Sequence, residues 1–370
     1  LSTHDSPDPS LVRLGWSPCF QDSFAALGDA TLSPARVAEE HRDGYVVFAG
    51  ADELRADVAG RLRHDARGRE ALPAVGDWVA VEARRPERRA TIRHVLPRRG
   101  ALVRKAAGRT SDAQVVAANL DVVYVVTSAN QDFNAARLAR FLAAAWESGA
   151  RPVVLVAKAD LAEDVDALVG EAAAAAPGAD VHAVSSVDGR GLDALASHLA
   201  PGRTAAFVGS SGVGKSTLVN RLLGEERLAT TPVRDHDDRG RHTTTRRQLI
   251  ALPSGALVVD TPGMREFGLL DADDGLCAAF ADVEELADSC RFRDCRHGAE
   301  PGCAVLAAVE SGALPRDRHE QWLSLGRELA FQRRKEDVRA MIEERKRWKA
   351  ISKAVRARNK QSGGKRTGVE

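Results

Sequence analysis

GSSGVGKST, residues 209–217, is the stretch on which the reading of this chain turns. Gly209, Gly214, Lys215 and Ser216 have the spacing G-x-x-x-x-G-K-[ST]; the apolar run TAAFV stands before them and the helix-like STLVNRLLG after. In such a strand-to-helix turn, backbone N–H groups along Ser210, Ser211, Gly212 and Val213 wrap phosphate oxygens and the helix start adds its positive dipole end. Lys215 then neutralises the β/γ charge, the Ser216 hydroxyl reaches Mg²⁺, and Thr217 opens the helix beside it. The alternative, an accidental glycine-rich turn, does not explain the strand before it and the helix after it. A nucleotide site also needs a part that selects the base, and nothing downstream has that character.

The global numbers narrow the classes. At 370 residues and 44% hydrophobic content the chain can bury a large core divided over two or three domains. Lys+Arg 53 against Asp+Glu 52 is balanced, so a nucleic-acid partner must be met by local patches. No apolar run approaches the roughly 20 residues of a membrane span, so the expectation is a cytoplasmic protein without a membrane partner. Three of the five cysteines fall between positions 290 and 303, which suits a metal better than a disulfide framework; Cys19 and Cys277 are expected to pack as small apolar side chains.

The texture of the chain changes three times. Residues 1–30 are rich in Pro, Asp and Ser and read as an extension of uncertain order around the apolar patch LVRLGW. Over 31–108, short alternating segments such as GYVVFAG and GDWVAVEAR predict a small antiparallel barrel. Over 109–272, the runs DVVYVVTS, PVVLV, VHAV and TAAFV alternate with alanine-rich helical stretches, the pattern of a doubly wound, mostly parallel α/β sheet. Residues 273–345 read as helical, and 346–370 as a basic tail.

Downstream of the P-loop, VVDTPG closes a strand with Asp260, suited to the Mg²⁺ shell through water, and with Gly263, whose N–H can face a γ-phosphate. The base reader lies upstream. Ala157, Lys158, Ala159 and Asp160 end the strand PVVLV, and Ser185 and Ser186 begin the loop after the next one. In GTPases an N/T-K-x-D loop reads guanine: the carboxylate accepts hydrogen bonds from N1 and N2, and adenine would leave that carboxylate unpaired.

All the GTPase elements are therefore present, with the base-reading loops ahead of the P-loop. This arrangement resembles the circularly permuted GTPases of the RsgA family, on AKAD and VSS before GSSGVGKST, GRHTTT (240–245) and DTPGMREF after it, and CRFRDCRHGAEPGC (290–303). The resemblance runs from about residue 31 onward. It implies an N-terminal OB-fold that binds RNA, a permuted GTPase domain, a zinc-bearing helical domain, and a role in late maturation of the small ribosomal subunit.

Two positions depart from the usual GTPase pattern. Ala157 stands where an Asn amide would brace the P-loop, and Met264 follows Gly263 where Ras-like GTPases carry a water-orienting Gln. His242 is the expected replacement for positioning the attacking water, with an RNA contact as its alternative role. Thr244 is the expected second Mg²⁺ ligand, with Thr243 the alternative.

Cys290, Cys295, His297 and Cys303 give C-x₄-C-x-H-x₅-C, three thiolates and an imidazole that fill a tetrahedral Zn²⁺ shell with no open position, hence one structural ion per chain. Ten Lys/Arg and no acidic residue lie between Arg345 and Arg366. With Arg84, Arg85, Arg88, Arg89, Arg98, Arg99, Arg104 and Lys105 at the end of the barrel, they make two basic ends on a neutral protein, as expected for a ligand of structured RNA read through phosphates and shape. The sequence thus predicts a monomeric GTP hydrolase (GTP to GDP) that assists small-subunit assembly, binds its rRNA and is stimulated by it. The alternative is a GTP-dependent RNA-binding switch whose hydrolysis is incidental, and AKAD disfavours an ATP-using kinase.

Overall fold

The computed structural model describes residues 8–66, 68–105, 113–129, 133–210, 212–228, 247–260 and 279–336. Chain order begins with two short helices, α1 (Pro9–Arg13) and α2 (Pro18–Ala25). Asp8 caps α1 by accepting from the Ser10 N–H at 2.9 Å, and Pro18 starts α2 where a missing N–H costs nothing. Trp16 and Phe20 are buried against Trp78 and Leu96, with the Trp16 and Trp78 rings 4.6 Å apart edge to face. Much of the expected extension is therefore ordered structure, fixed because its aromatic residues find an apolar seat outside the barrel. Cys19 is exposed on α2, contrary to expectation, because the buried face of that short helix is taken by Phe20; Cys277 lies outside the described residues.

Strands β1 (Ser33–His41), β2 (Gly44–Ala49), β3 (Asp52–Val58), β4 (Trp78–Arg84) and β5 (Arg89–Val95) form a closed barrel in the order β1-β2-β3-β5-β4, with β4 returning to β1. Helix α3 (Gly60–Asp65) lies between β3 and β4. The barrel is filled by Val37, Val47, Leu54, Val79, Val81 and Ile92, alternate positions on each strand. This is the five-stranded OB topology. Next, β6 (Ala101–Lys105) pairs with β7 (Ala113–Ala118) in a separate hairpin, and Leu102 and Val116 enter the core of the following domain. The barrel strands end at Val95, and the hairpin bridges the junction, its Ala101, Val103, Val115 and Ala118 packing with Ala74 on the barrel side.

The α/β domain has the strand order β10-β9-β8-β11-β13-β12, with β8 (Val122–Ser128), β9 (Arg151–Ala157), β10 (Asp180–Ala183), β11 (Thr204–Val208) and β13 (Leu257–Asp260) parallel and β12 (Gln248–Ala251) antiparallel. Strand residues alternate between two cores. Val123, Val125, Val154 and Val156 face α4 (Ala135–Glu147) and α5 (Val165–Ala175); Tyr124, Val153, Leu155 and Phe207 face α6 (Leu192–Ser197) and α7 (Lys215–Leu223). Burial on both faces explains why these strands read as continuous apolar runs. Glu39 of β1 pairs with Gln248 of β12, which joins barrel and domain in one eleven-stranded sheet.

The C-terminal helices α8 (Ala281–Asp288), α9 (Ala304–Glu310) and α10 (Arg316–Glu336) bury Phe280, Val283, Val305 and Leu325 together with Ala139 and Ala143 of α4. Among the described residues no helix is long and apolar enough to cross a membrane. The basic tail after residue 336 lies outside the described residues.

Candidate nucleotide site and metal centre

The P-loop lies between β11 and α7, at the carboxyl ends of the parallel strands, where open α/β sheets bind ligands. Gly209 has φ +145° and approaches Val126 so closely that a Cβ would stand 2.2 Å from its carbonyl oxygen. Only glycine allows that turn. Lys215 folds back over the loop, its Nζ donating to the carbonyls of Gly209 at 2.8 Å and Ser210 at 2.6 Å. Asp260 ends β13 beside it; burial pushes its carboxyl up to about 6, and the Lys215 charge offsets part of that.

The base-reading loops come from β9 and β10. Lys158 takes a left-handed conformation, φ +58°, that turns the chain out of β9, and the Ala159 N–H donates to the Val184 carbonyl at 3.1 Å. The Ser185 hydroxyl donates to Asp160 Oδ1 at 2.7 Å and accepts from the N–H groups of Val187 at 3.1 Å and Asp188 at 3.3 Å. The carboxylate is thereby aimed by a side chain that is fully buried. A cleft of about 210 Å³ opens between these loops and the start of α7, lined by Ala157, Lys158, Asp160, Leu161, Ser186, Val187, Val213, Gly214, Thr217 and Leu218. That is below the roughly 300–1,000 Å³ of pockets that engulf a whole ligand. It suits a flat base with its phosphates outside on the P-loop.

Of the predicted nucleotide residues, Ala157, Lys158, Ala159, Asp160, Ser185, Ser186, Gly209, Ser210, Gly212, Val213, Gly214, Lys215, Ser216, Thr217 and Asp260 fall on neighbouring strand ends or loops of this one edge. Ser211, His242, Thr244 and Gly263 lie outside the described residues. Sequence reasoning missed Leu161 and Val187, 64% and 76% exposed, which give the cleft apolar walls, and Arg221, whose Nε donates to the Ser186 carbonyl at 2.7 Å. Exposed aliphatic residues in loops carry no periodic signal, and Arg221 reads as an ordinary helix-surface cation.

Cys290, Cys295, His297 and Cys303 converge, with one donor atom from each lying within 4.8 Å of the others. Zn–S bonds of about 2.3 Å and a Zn–N bond of about 2.0 Å set tetrahedral edges near 3.8 Å between sulfurs and near 3.5 Å between sulfur and nitrogen. Cys290 Sγ to Cys303 Sγ is 3.8 Å, and His297 Nδ1 lies 3.5 Å from Cys290 Sγ and 3.6 Å from Cys303 Sγ. The N–H groups of Ala304 and Leu306 donate to the sulfurs of Cys290 and Cys303 at 3.3 and 3.4 Å. His297 has φ +55°; its carbonyl contacts His319 Nε2 at 2.9 Å, and Trp322 packs 4.9 Å from its ring. The donor set fits a closed zinc shell held from behind.

The basic stripe at the end of the barrel is a different matter. Arg98 donates to both oxygens of buried Asp77 and to the carbonyls of Glu70 and Leu72; Arg85 pairs with Asp52, Arg84 with Glu87 and Arg99 with Asp121, and Arg104 donates to Gln114. Among the described residues only Arg88 and Arg89 of this group have side chains without such partners; the Lys105 side chain lies outside them. Arg98 is thus taken up by the fold, while the side chains of Arg84, Arg85 and Arg99 stay 50%, 59% and 40% exposed in their pairs.

A protein-family model described as RsgA GTPase matches residues 95–270. The small ribosomal subunit biogenesis GTPase RsgA of Opitutus terrae is 45% identical over 364 residues, which cover 96% of this chain and 99% of that one. The chain belongs to the RsgA GTPase family. GTP hydrolysis is the chemistry of that family, and GTP and GDP are its nucleotides. Among solved structures, YjeQ from Thermotoga maritima matches at TM-score 0.60 and 24% identity, covering 80% of this chain and 98% of that one. YloQ, described as a circularly permuted GTPase, matches at TM-score 0.59 and 25% identity, covering 80% and 95%. An ABC transporter model also matches residues 192–369. That span contains the P-loop but not the 157–160 loop, which lies within the RsgA match.

Proposed function

We propose that this RsgA-family GTPase hydrolyses GTP to GDP as an assembly factor of the small ribosomal subunit, binding its rRNA and turning over faster on the subunit. The observation that carries the reading is the Ser185–Asp160 pair, 2.7 Å, aimed into a cleft whose opposite wall is the start of the P-loop helix. A carboxylate held in that way rewards the two N–H donors of guanine and penalises adenine. Its support from relatives is an RsgA that names the small subunit and aligns along 96% of this chain.

In the site, Asp160 selects the base, Leu161 and Val187 flank it, and the backbone of 209–214 with Lys215 holds the phosphates. The hydroxyls of Ser216 and Thr244 would hold Mg²⁺, with Asp260 behind it through water; when bound, the ion supplies charge stabilisation on the phosphates. His242 orients the attacking water, a task Met264 cannot perform. Cys290, Cys295, His297 and Cys303 hold one structural Zn²⁺ that fixes the C-terminal module. The protein acts as a cytoplasmic monomer, divided near residues 30, 108, 272 and 345. RNA contact rests on the 346–370 tail and on Arg88 and Arg89 more than on the paired arginines. The test is GTP turnover by the full chain with and without purified small subunits. Stimulation of on the order of 10-fold or more, absent with ATP, supports the assignment; equal turnover in both conditions removes the ribosomal role, and equal use of ATP removes the base assignment.

A further inference from the structure

Opposite the nucleotide edge, three potential metal ligands meet without any part in GTP chemistry. Asp180 and His182 sit two residues apart on β10, the outer strand of the sheet, so both side chains project to the same face. His198 caps the C-terminal end of α6, which packs on that face through Leu195 and Leu199. One donor atom from each of the three lies within 4.8 Å of the others. The His182 and His198 rings are 5.7 Å apart, and His198 Nε2 is 4.0 Å from Asp180 Oδ2. His182 Nε2 is sealed from solvent and has no hydrogen-bond partner among the described residues. A buried imidazole nitrogen is costly to leave unpaired, and the ring that carries it lies beside a second imidazole and a carboxylate.

We propose that Asp180, His182 and His198 form a second metal site, separate from the cysteine cluster, that takes a divalent transition ion of the Zn²⁺ or Ni²⁺ class. Two imidazoles and one carboxylate favour such ions over Mg²⁺ or Ca²⁺, which require mostly oxygen ligands. Arg151 Nη2 donates at 2.6 Å to Asp180 Oδ2, the oxygen that lies 4.0 Å from His198 Nε2, and so orients the carboxylate. The positive charges of Arg151 and Arg203 nearby hold the affinity below that of the cysteine site. An ion here joins β10 to the end of α6, the two flanks of the loop that carries Ser185. It acts as a clip between the outer strand and the helix packed on it, at the edge of the sheet away from the nucleotide.

The experiment uses the full, tag-free chain with zinc retained in the cysteine cluster, dialysed against Ni²⁺ and analysed for both metals. One Ni²⁺ per chain in addition to zinc is expected. His182→Gln and His198→Gln should each weaken Ni²⁺ binding by about 100-fold or more, beyond what loss of an outer partner costs, with zinc content and GDP binding unchanged. Asp180→Asn, at a residue whose side chain is 42% exposed, provides a variant that spares the core should the histidine variants misfold. Ni²⁺ should also slow amide exchange over Asp180–Ala183 and Leu192–His198 in the wild type only. Absence of Ni²⁺ binding below about 1 mM, or wild-type binding by Asp180→Asn and the folded histidine variants, overturns the site. Stoichiometric binding with unchanged exchange overturns the clip.

Discussion

Arg98→Ala separates two meanings of a basic residue. If Arg98 is part of an RNA-binding surface, its removal weakens subunit binding, lowers the salt dependence by about one phosphate contact and leaves the fold intact. The structure argues otherwise. Arg98 is 19% exposed, Asp77 is fully buried, and the guanidinium donates at 2.8 and 2.7 Å to the two carboxylate oxygens and at 2.6 and 2.9 Å to the carbonyls of Glu70 and Leu72. Without it, Asp77 keeps the Ala74 N–H at 2.8 Å and the more distant charge of Arg36, in surroundings where burial already pushes its carboxyl above the usual range. Breaking a buried pair from one side costs about 3–5 kcal/mol, a large part of the roughly 5–15 kcal/mol that holds a domain folded. Arg98→Lys retains the charge but loses the planar fork, and should fall between the alanine variant and wild type. In the Asp77→Asn/Arg98→Ala double variant no carboxylate is left buried without its fork, so part of the loss should return, less what buried Arg36 loses with the Asp77 charge. Urea unfolding followed by tryptophan fluorescence measures this, since Trp16 and Trp78 lie in the adjoining cluster. An alanine variant within about 0.5 kcal/mol of wild type, with weaker subunit binding, would refute the argument.

Asp160→Asn should weaken GTP binding by about 100-fold, as expected for losing charge-assisted bonds to N1 and N2, and shift preference toward xanthine nucleotides; an unchanged GTP-to-XTP ratio in competition binding rules out Asp160 as the base reader. Cys295→Ser should reduce the zinc content and lower the melting temperature of the C-terminal module while GDP affinity stays within about 3-fold, and full zinc occupancy with unaltered melting counts against the four-ligand shell. Asp260 takes up its proton near pH 6 in the fold, against 3.8 as its ordinary value. Its favourable contribution is therefore complete below pH 3.8 and is lost as pH rises through about 6, leaving the ionised group a burden of at most about 3 kcal/mol at pH 7.5. Asp260→Asn should accordingly stabilise the nucleotide- and magnesium-free protein at pH 7.5, flatten its stability between pH 4 and 7, and weaken Mg²⁺-dependent GTP binding; a lower unfolding midpoint at pH 7.5 contradicts the sign. His242→Ala should keep GTP affinity within a few-fold and lose about 100-fold of subunit-stimulated turnover, whereas loss of subunit binding would make His242 an RNA contact.

The parts legible in sequence are those where one local constraint has one solution. Gly209 must be glycine because the turn runs against the Val126 carbonyl, and C-x₄-C-x-H-x₅-C brings four potential metal ligands together within one short stretch of chain. The buried strands are legible because helices cover both faces, so that neither Val123 nor Tyr124 is free to be polar. What stayed hidden depends on partners distant in sequence. Arg98 and Asp77 are 21 residues apart, and no periodicity tells a paired arginine from a free one. The seat of Trp16 and Phe20 is built by Trp78 and Leu96, and a Pro- and Asp-rich composition conceals it. Leu161 and Val187 acquire meaning only when β9 and β10 lie side by side and present them to one cleft.

The permuted order also determines which parts of the chain can respond to nucleotide. Residues 229–246, which carry the expected water-positioning His242 and Mg²⁺ ligand Thr244, run from the region of α7 into β12. Strand β12 is paired to the barrel: Gln248 faces Glu39, and Arg247 Nη1 reaches Glu40 Oε2 at 3.2 Å. Arg247 is 12% exposed, so the ion pair is shielded enough to hold its geometry. Residues 261–278, which carry Gly263, start from Asp260 and lead to Phe280, the buried anchor of the C-terminal helices, over whose ring Arg318 stacks at 4.5 Å while donating to both carboxylate oxygens of Asp282. Each segment expected to contact the γ-phosphate is therefore attached at its far end to a different module, the first to the barrel and the second to the zinc-site helices. In an unpermuted order the base-reading strands would follow the second of these segments. Here they precede the P-loop, so the chain after β13 leads directly to the C-terminal helices.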